Sequence, residues 1–257
     1  MTRAFVFPGQ GSQAVGMGHA LLEAFACARE VMEEVDDALG QNLSRLIAEG
    51  PAEELTLTEN AQPALLAISM AVLRVLEKEG GLDISKSCSF VAGHSLGEYS
   101  ALAAARSFGL ADAARLLKIR GRAMQKAVPV GEGGMAALLG ADLELAQEIA
   151  VAAAEDEVCS AANDNAPGQV VISGASAAID RAIVIAGERG IRKSIKLPVS
   201  APFHCAMMAP AAEAMDKALG DVPPVRPLVP VIANVTAAPA EGPDEIRDLL
   251  VEQVTAM

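Results

Sequence analysis

Gly93-His94-Ser95-Leu96-Gly97 has the form Gly-x-Ser-x-Gly, set between a short apolar run, Ser89-Phe90-Val91-Ala92, and a stretch that reads as a helix from Glu98 to Ala105. A sharp strand-to-helix turn is the physical reason for that form: small flanking residues let the backbone bend and push the serine Oγ into the open. The next amide, Leu96 N–H, then lies at the helix start, where it is free to stabilise an oxyanion. The plainer reading is a Gly-rich helix start packed closely against a sheet. A serine nucleophile needs a base, and only three histidines are present, His19, His94 and His204. His94 adjoins Ser95, so its side chain diverges at the turn. His19 falls in a helical stretch without polar company. His204 ends Leu197-Pro-Val-Ser-Ala-Pro-Phe-His204, a proline-stiffened loop, and catalytic side chains collect on loops held by a rigid scaffold. His204 is therefore the expected base.

A third residue stands out by its position on a helix. Between Leu110 and Ala127, Arg115, Lys118, Arg122 and Lys126 recur at three-to-four spacing and read as one solvent-facing stripe. Arg120 points the other way, on the side of Leu116, Ala123 and Met124. A guanidinium among core residues requires an anionic partner, because a lone buried charge is costly. That partner is either an internal Asp or Glu, or a substrate carboxylate gripped bidentately. Helical geometry leaves both open.

The elements that must carry these residues alternate between strand and helix. Ala4-Phe-Val-Phe7 reads as a strand that breaks at Pro8-Gly-Gln-Gly-Ser-Gln13, followed by a long helical pattern from about Met17 to Leu39. Glu59-Asn-Ala-Gln-Pro63 leads into a helix whose Leu65, Leu66, Ile68, Val72, Leu73 and Leu76 match helical spacing. From Gly133 the texture changes. Met135–Leu139 reads as a strand, Glu144–Ala154 as a helix, Val158–Ala162 and Gln169–Ser173 as strands around the turn Asn163–Gly168, Ala177–Arg189 as a helix and Arg192–Leu197 as a strand. That order is β-α-β-β-α-β, the ferredoxin-like one. The expected organisation is a large α/β domain of residues 1–131 and 199–257, interrupted by a ferredoxin-like insertion at 132–198.

Composition narrows the function classes. At 257 residues and 52% hydrophobic, the chain is too apolar to be disordered and long enough for one large domain with an insertion. No apolar run approaches the roughly 20 residues of a membrane helix. The amino terminus reaches Pro8-Gly9 too soon for the apolar core of a signal peptide. A net charge of −13 argues against nucleic acid as the main partner. Cys27, Cys88, Cys159 and Cys205 show no Cys-x-x-Cys spacing, which fits neither zinc nor a disulfide framework and makes a reduced, cytoplasmic setting the expectation.

These features resemble the malonyl-CoA:acyl-carrier-protein transacylases of dissociated fatty-acid synthesis. The resemblance runs through Gly9-Gln-Gly-Ser-Gln13, Gly93-His-Ser-Leu-Gly-Glu-Tyr-Ser-Ala-Leu102, Arg120-Gly-Arg-Ala-Met-Gln125, Asn165-Ala-Pro-Gly-Gln-Val-Val-Ile-Ser-Gly174, Ala201-Pro-Phe-His204 and Ala233-Asn-Val-Thr236. It implies an α/β hydrolase-like core with a parallel sheet and a nucleophile elbow, plus an inserted ferredoxin-like subdomain. Carried over, Ser95 is the acylated nucleophile, His204 its base and Arg120 the clamp for the malonyl carboxylate. Gln10 and Leu96 supply the oxyanion-hole amides, and a backbone carbonyl, that of Gln253, orients the histidine in place of an acid. Phe203 marks the malonyl-type version of its loop. Members of the family usually run on past the position of Met257, with a further helix, a strand and a Gly-Pro-Gly turn.

The implied partners are malonyl-CoA and an acidic acyl carrier protein, with no metal, no organic cofactor, no nucleic acid and no membrane, and the family expectation is a monomer. Against the negative net charge, residues 113–131 hold five basic and no acidic side chains, and Arg189, Arg192, Lys193 and Lys196 add four more. Lys193 and Lys196 are the expected carrier-docking residues; the bland alternative is a solvated face. Two other function classes compete. A serine hydrolase or thioesterase would place its acid between Ser95 and His204, where Asp164 or Asp180 serves by order alone. A non-catalytic carrier-binding protein is the third.

Overall fold

A parallel sheet is dictated wherever strands are apolar on both faces and joined by helices, and β1 (Ala4–Phe7) and β2 (Phe90–Gly93) are such strands. The computed structural model describes residues 3–199 and 201–257. Between these two strands run six helices: α1 (His19–Ala24), α2 (Ala26–Leu39), α3 (Leu43–Glu49), α4 (Ala52–Thr56), α5 (Thr58–Lys78) and α6 (Ile84–Ser87). After β2 come α7 (Leu96–Ala104) and α8 (Leu110–Ala127). Then follow β3 (Gly133–Leu139), α9 (Leu143–Ala154), β4 (Cys159–Ala166), β5 (Gln169–Ala175), α10 (Ser176–Glu188) and β6 (Lys193–Lys196). The chain closes with α11 (Ala209–Asp221), β7 (Val231–Ile232), β8 (Pro239–Ala240) and α12 (Pro243–Glu252). Among the described residues no helix is long and apolar enough to cross a membrane.

Two compact units emerge, one of residues up to Arg122 together with Met215–Leu249, the other of Ala123–Ala214 with Leu250–Met257. The first holds a sheet ordered β1-β2-β7-β8. In it β1, β2 and β7 are parallel, with Phe7 opposite Gly93 and Ala92 opposite Ile232, and β8 is antiparallel. Every residue of α7 is buried, as expected of a helix that is apolar nearly all round. The second holds an antiparallel sheet ordered β4-β5-β3-β6, the strand order of a β-α-β-β-α-β ferredoxin-like unit. Its core is Leu138, Ile149, Ala153, Val170, Ile172, Ile179 and Ala182, where α9 and α10 cover one sheet face.

Three boundaries differ from the sequence reading, each for a local reason. The single helix expected from Met17 to Leu39 is two, because Phe25 adopts extended angles (φ −124°, ψ 123°). The Arg29 side chain takes up the freed carbonyls of Leu22 and Glu23 at 2.5 and 3.2 Å. The helix expected after Pro63 begins at Thr58 and contains that proline, which places Gln62 inside the helix. The turn expected over Asn163–Gly168 is shorter, since β4 continues to Ala166 through irregular pairing with β5.

Candidate active site

The first unit presents the serine. Gly93 and Gly97 are glycines because the turn leaves no room for a side chain: a Cβ on Gly93 would lie 1.9 Å from Gly97 O, and one on Gly97 would lie 2.6 Å from Phe7 O. Between them Ser95 caps α7 with φ 54° and ψ −109°, a left-handed conformation that a non-glycine residue holds at about 1–3 kcal/mol. Leu96 N–H opens the helix and so lacks an intrahelical acceptor. The loop that carries Gln10 runs beside this turn. A Cβ on Gly9 would lie 2.5 Å from His94 Nδ1, and Gln10 Nε2 donates to Thr58 Oγ1 at 3.3 Å. Desolvation holds the His94 imidazole below its ordinary pKa, and the Arg120 charge adds to the effect.

Arg120 is 1% exposed. Its Nη2 donates to Ser95 Oγ at 3.1 Å and its Nη1 to Gln62 Oε1 at 3.0 Å. The guanidinium also lies 5.8 Å from the centroid of the Tyr99 ring, a distance at which cation–π attraction operates. Burial pulls its pKa down while Tyr99 and Glu98 push it back up; an arginine stays charged regardless. The partners of this guanidinium thus include the nucleophile itself and a neutral amide. Close helix approach makes this geometry possible, because a Cβ on Gly121 would fall 2.5 Å from Glu59 Cα. Backbone contact between α8 and the first turn of α5 brings Arg120 to Gln62.

The stripe expected to face solvent on α8 does not hold throughout. Lys118 is buried, donating to Gln41 Oε1 at 2.7 Å and Asn60 Oδ1 at 2.8 Å, and pairs with Glu59 at 3.0 Å. Arg122 joins the same carboxylate at 2.8 Å, and together the two cations hold the Glu59 pKa below the usual carboxylate range. This cluster locks α8 to α5. His19, read as lacking polar company, stands 3.4 Å from Glu23 on an exposed helix face.

The second unit presents the histidine. His204 is 6% exposed, and its Nδ1 lies 2.8 Å from Gln253 O and 3.1 Å from Ala256 O. Carbonyl oxygens only accept, so Nδ1 carries a proton, and in the neutral ring Nε2 then holds the lone pair. That is the tautomer of a general base. His204 itself has φ 59°. Among the described residues five non-glycines have positive φ, and Ser95 and His204 are two of them. Phe203 beside it is buried. Gly133 admits the loop, since a Cβ there would meet Pro202 at 2.4 Å.

The acids considered for a hydrolase-type triad do not fill that role. Asp180 accepts from Lys196 Nζ at 2.6 Å, and Asp164 is exposed on β4. Lys193 and Lys196 lie on β6, which among the described residues pairs only with β3 and forms the sheet edge. Lys193 is exposed, whereas the Lys196 charge is met by Asp180. Among the described residues no group of His, Cys, Asp and Glu side chains could hold a metal ion. The sequence reading missed Gln62, whose one signal was a polar residue placed directly before the apolar run of α5.

The profile of the family described as "Acyl transferase domain" matches residues 4–252. A protein of Escherichia coli K12, named malonyl CoA-acyl carrier protein transacylase, is 45% identical over 251 residues, covering 98% of this chain and 80% of that protein. One of the same name from Bacillus subtilis 168 is 46% identical over 252 residues, covering 98% and 78%. A crystal structure of an acyl-carrier-protein S-malonyltransferase from Bartonella henselae superposes with a TM-score of 0.97 at 57% identity, covering 100% of this chain and 81% of that one.

Proposed function

This chain belongs to the acyl transferase domain family, and on that premise we propose that it moves a malonyl group from malonyl-CoA to the phosphopantetheine thiol of an acyl carrier protein, as the names of its relatives describe for them. The observation that carries the malonyl part is the buried Arg120 guanidinium 3.1 Å from Ser95 Oγ. A fixed cation at that distance from the nucleophile favours an acyl group with a carboxylate two bonds from the carbonyl under attack.

The cycle has two halves. His204 Nε2 takes the proton of Ser95 as Oγ attacks the thioester carbonyl, and the amides of Leu96 and Gln10 hold the oxyanion. The C–S bond then breaks, CoA leaves as the thiol with the proton from His204, and malonyl stays on Ser95 as an ester. In the second half the carrier thiol gives its proton to His204 and attacks the ester. Ser95 leaves with that proton, and the new thioester departs on the carrier. The carbonyls of Gln253 and Ala256 keep His204 in the one tautomer that serves both halves. Phe203, buried and next to the histidine in sequence, helps shape the acyl site.

The exposed charge of Lys193, with Lys196 three residues further along β6, supports docking of an acidic carrier at this edge. An insertion spanning 132–198 carries this edge within a larger catalytic domain of 1–131 and 199–257, and a cytoplasmic monomer fits an enzyme that meets a diffusing carrier. The thioesterase alternative loses support from the carbonyls at His204 Nδ1, where a triad would place an acid.

Release of CoA from excess malonyl-CoA tests the scheme. Without carrier, a burst equal to the enzyme concentration followed by near-arrest is expected, with turnover restored by a phosphopantetheine-bearing carrier. Steady CoA release without carrier would mean hydrolysis and overturn it.

A further inference from the structure

Asn234, just beyond β7, touches the serine turn through its side chain. Its Oδ1 accepts from Ser95 N–H at 2.8 Å and its Nδ2 donates to Gly93 O. A main-chain N–H only donates and a carbonyl only accepts, so one orientation of the amide satisfies both. The pairing has the form of a sheet ladder. In parallel strands one residue accepts from the N–H of position j+1 and donates to the C=O of position j−1 on its neighbour. With His94 as position j, the carboxamide of Asn234 engages 95 and 93 in that way. It extends the β2–β7 ladder, whose last register pair is Ala92 with Ile232, by two residues just where β2 bends away.

We infer that Asn234 is a positioning residue for the nucleophile, its carboxamide acting as a surrogate peptide unit that holds the strained Ser95 backbone from both sides. The loop that presents it is itself braced. Ala233 N donates to Ala238 O at 3.0 Å and Ala237 N to Ala233 O at 2.9 Å, with Ala237 at φ 51°. Asn234 N–H is taken by Glu98 Oε2 at 3.3 Å. The bond to Ser95 N–H has a second consequence: that amide is engaged, so the first amide of this turn able to face an oxyanion is Leu96 N–H. This rests on Ser95 being the acylated residue.

The test uses the full chain with Asn234→Ala, which removes donor and acceptor, and Asn234→Asp, which keeps the acceptor and loses the donor. Active sites are counted by the CoA burst, so rates refer to competent enzyme alone. The expected result is a fall of about 10- to 100-fold in the acylation rate per active site in both variants, with KM for malonyl-CoA within about threefold of the parent, since Arg120 and Gln62 are untouched. An unchanged rate per active site, with only the melting temperature or the active fraction lowered, would reduce Asn234 to a structural role and overturn the inference. So would a parental rate for Asn234→Asp alone, because the clamp requires both bonds. If the parent itself forms no ester at Ser95, the failure lies with the proposed function, and the two cases are told apart by that control.

Discussion

Around Ser95 the restraining groups are side chains: Asn234 on its backbone, Arg120 on its hydroxyl and Gln62 behind the arginine. Around His204 they are main-chain carbonyls, those of Gln253 and Ala256. Both residues sit at positive φ, so each needs surroundings that fix a conformation it would not choose alone. The contrast has a physical logic. On the proposed function the serine meets an acyl group whose charge selects it, and the side chain of Arg120 supplies that charge selectivity. The histidine needs just one fixed tautomer, and any carbonyl at hydrogen-bond distance provides it without adding a charge that would raise its proton affinity.

That contrast breaks or sharpens under substitution. Removal of the base is expected to act most strongly. His204→Ala should lower kcat/KM for malonyl-CoA by about 100- to 10,000-fold, read from CoA release with the melting temperature followed in parallel. Next comes the clamp. Arg120→Ala removes a charge-assisted contact worth on the order of 2–4 kcal/mol, which should narrow the preference for malonyl over acetyl by about 30- to 1,000-fold. The ratio of kcat/KM values for the two thioesters measures it, and an unchanged ratio would leave the arginine a purely structural charge.

Smaller effects concern the histidine side. Lys193→Glu should slow transfer to the carrier by about 3- to 10-fold at low salt and leave CoA release untouched. Lys196→Glu should do less than that to docking, because Asp180 already balances Lys196. Equal losses in both half-reactions would argue against docking at this edge. Gln253→Ala is the smallest and the most pointed. Gln253 is fully buried, so the melting temperature should fall, but the carbonyl survives and kcat per folded molecule should stay within about threefold. A loss as deep as that of His204→Ala would show the side chain, not the backbone, to be the orienting group.

Legibility in the sequence followed the same division. The turn around Ser95 could be read because its glycines are demanded by contacts as close as 1.9 Å, and no other residue type fits. Arg120 betrayed itself as a charge on the apolar face of a helix. The ferredoxin-like order was visible in alternating strands and helices, since each strand face and helix stripe must match one core. Gln62 and Asn234 were not readable as partners, because nothing in their type says which long-range neighbour they meet. Lys118 was misread for the mirror reason: spacing alone does not reveal that Glu59, Asn60 and Gln41 close over it. The histidine clamp left no signature of residue type, as every residue has a carbonyl. Its position came from family resemblance.

The central claim is that Ser95 carries the malonyl group between donor and carrier. Intact-protein mass spectrometry after brief mixing with malonyl-CoA, beside Ser95→Ala, tests it most directly. The account predicts a malonyl-sized gain on the parent chain only, mapped to the peptide holding Ser95 and discharged by carrier protein. A gain that persists in Ser95→Ala, or thioester consumption with no adduct on the parent, would contradict it.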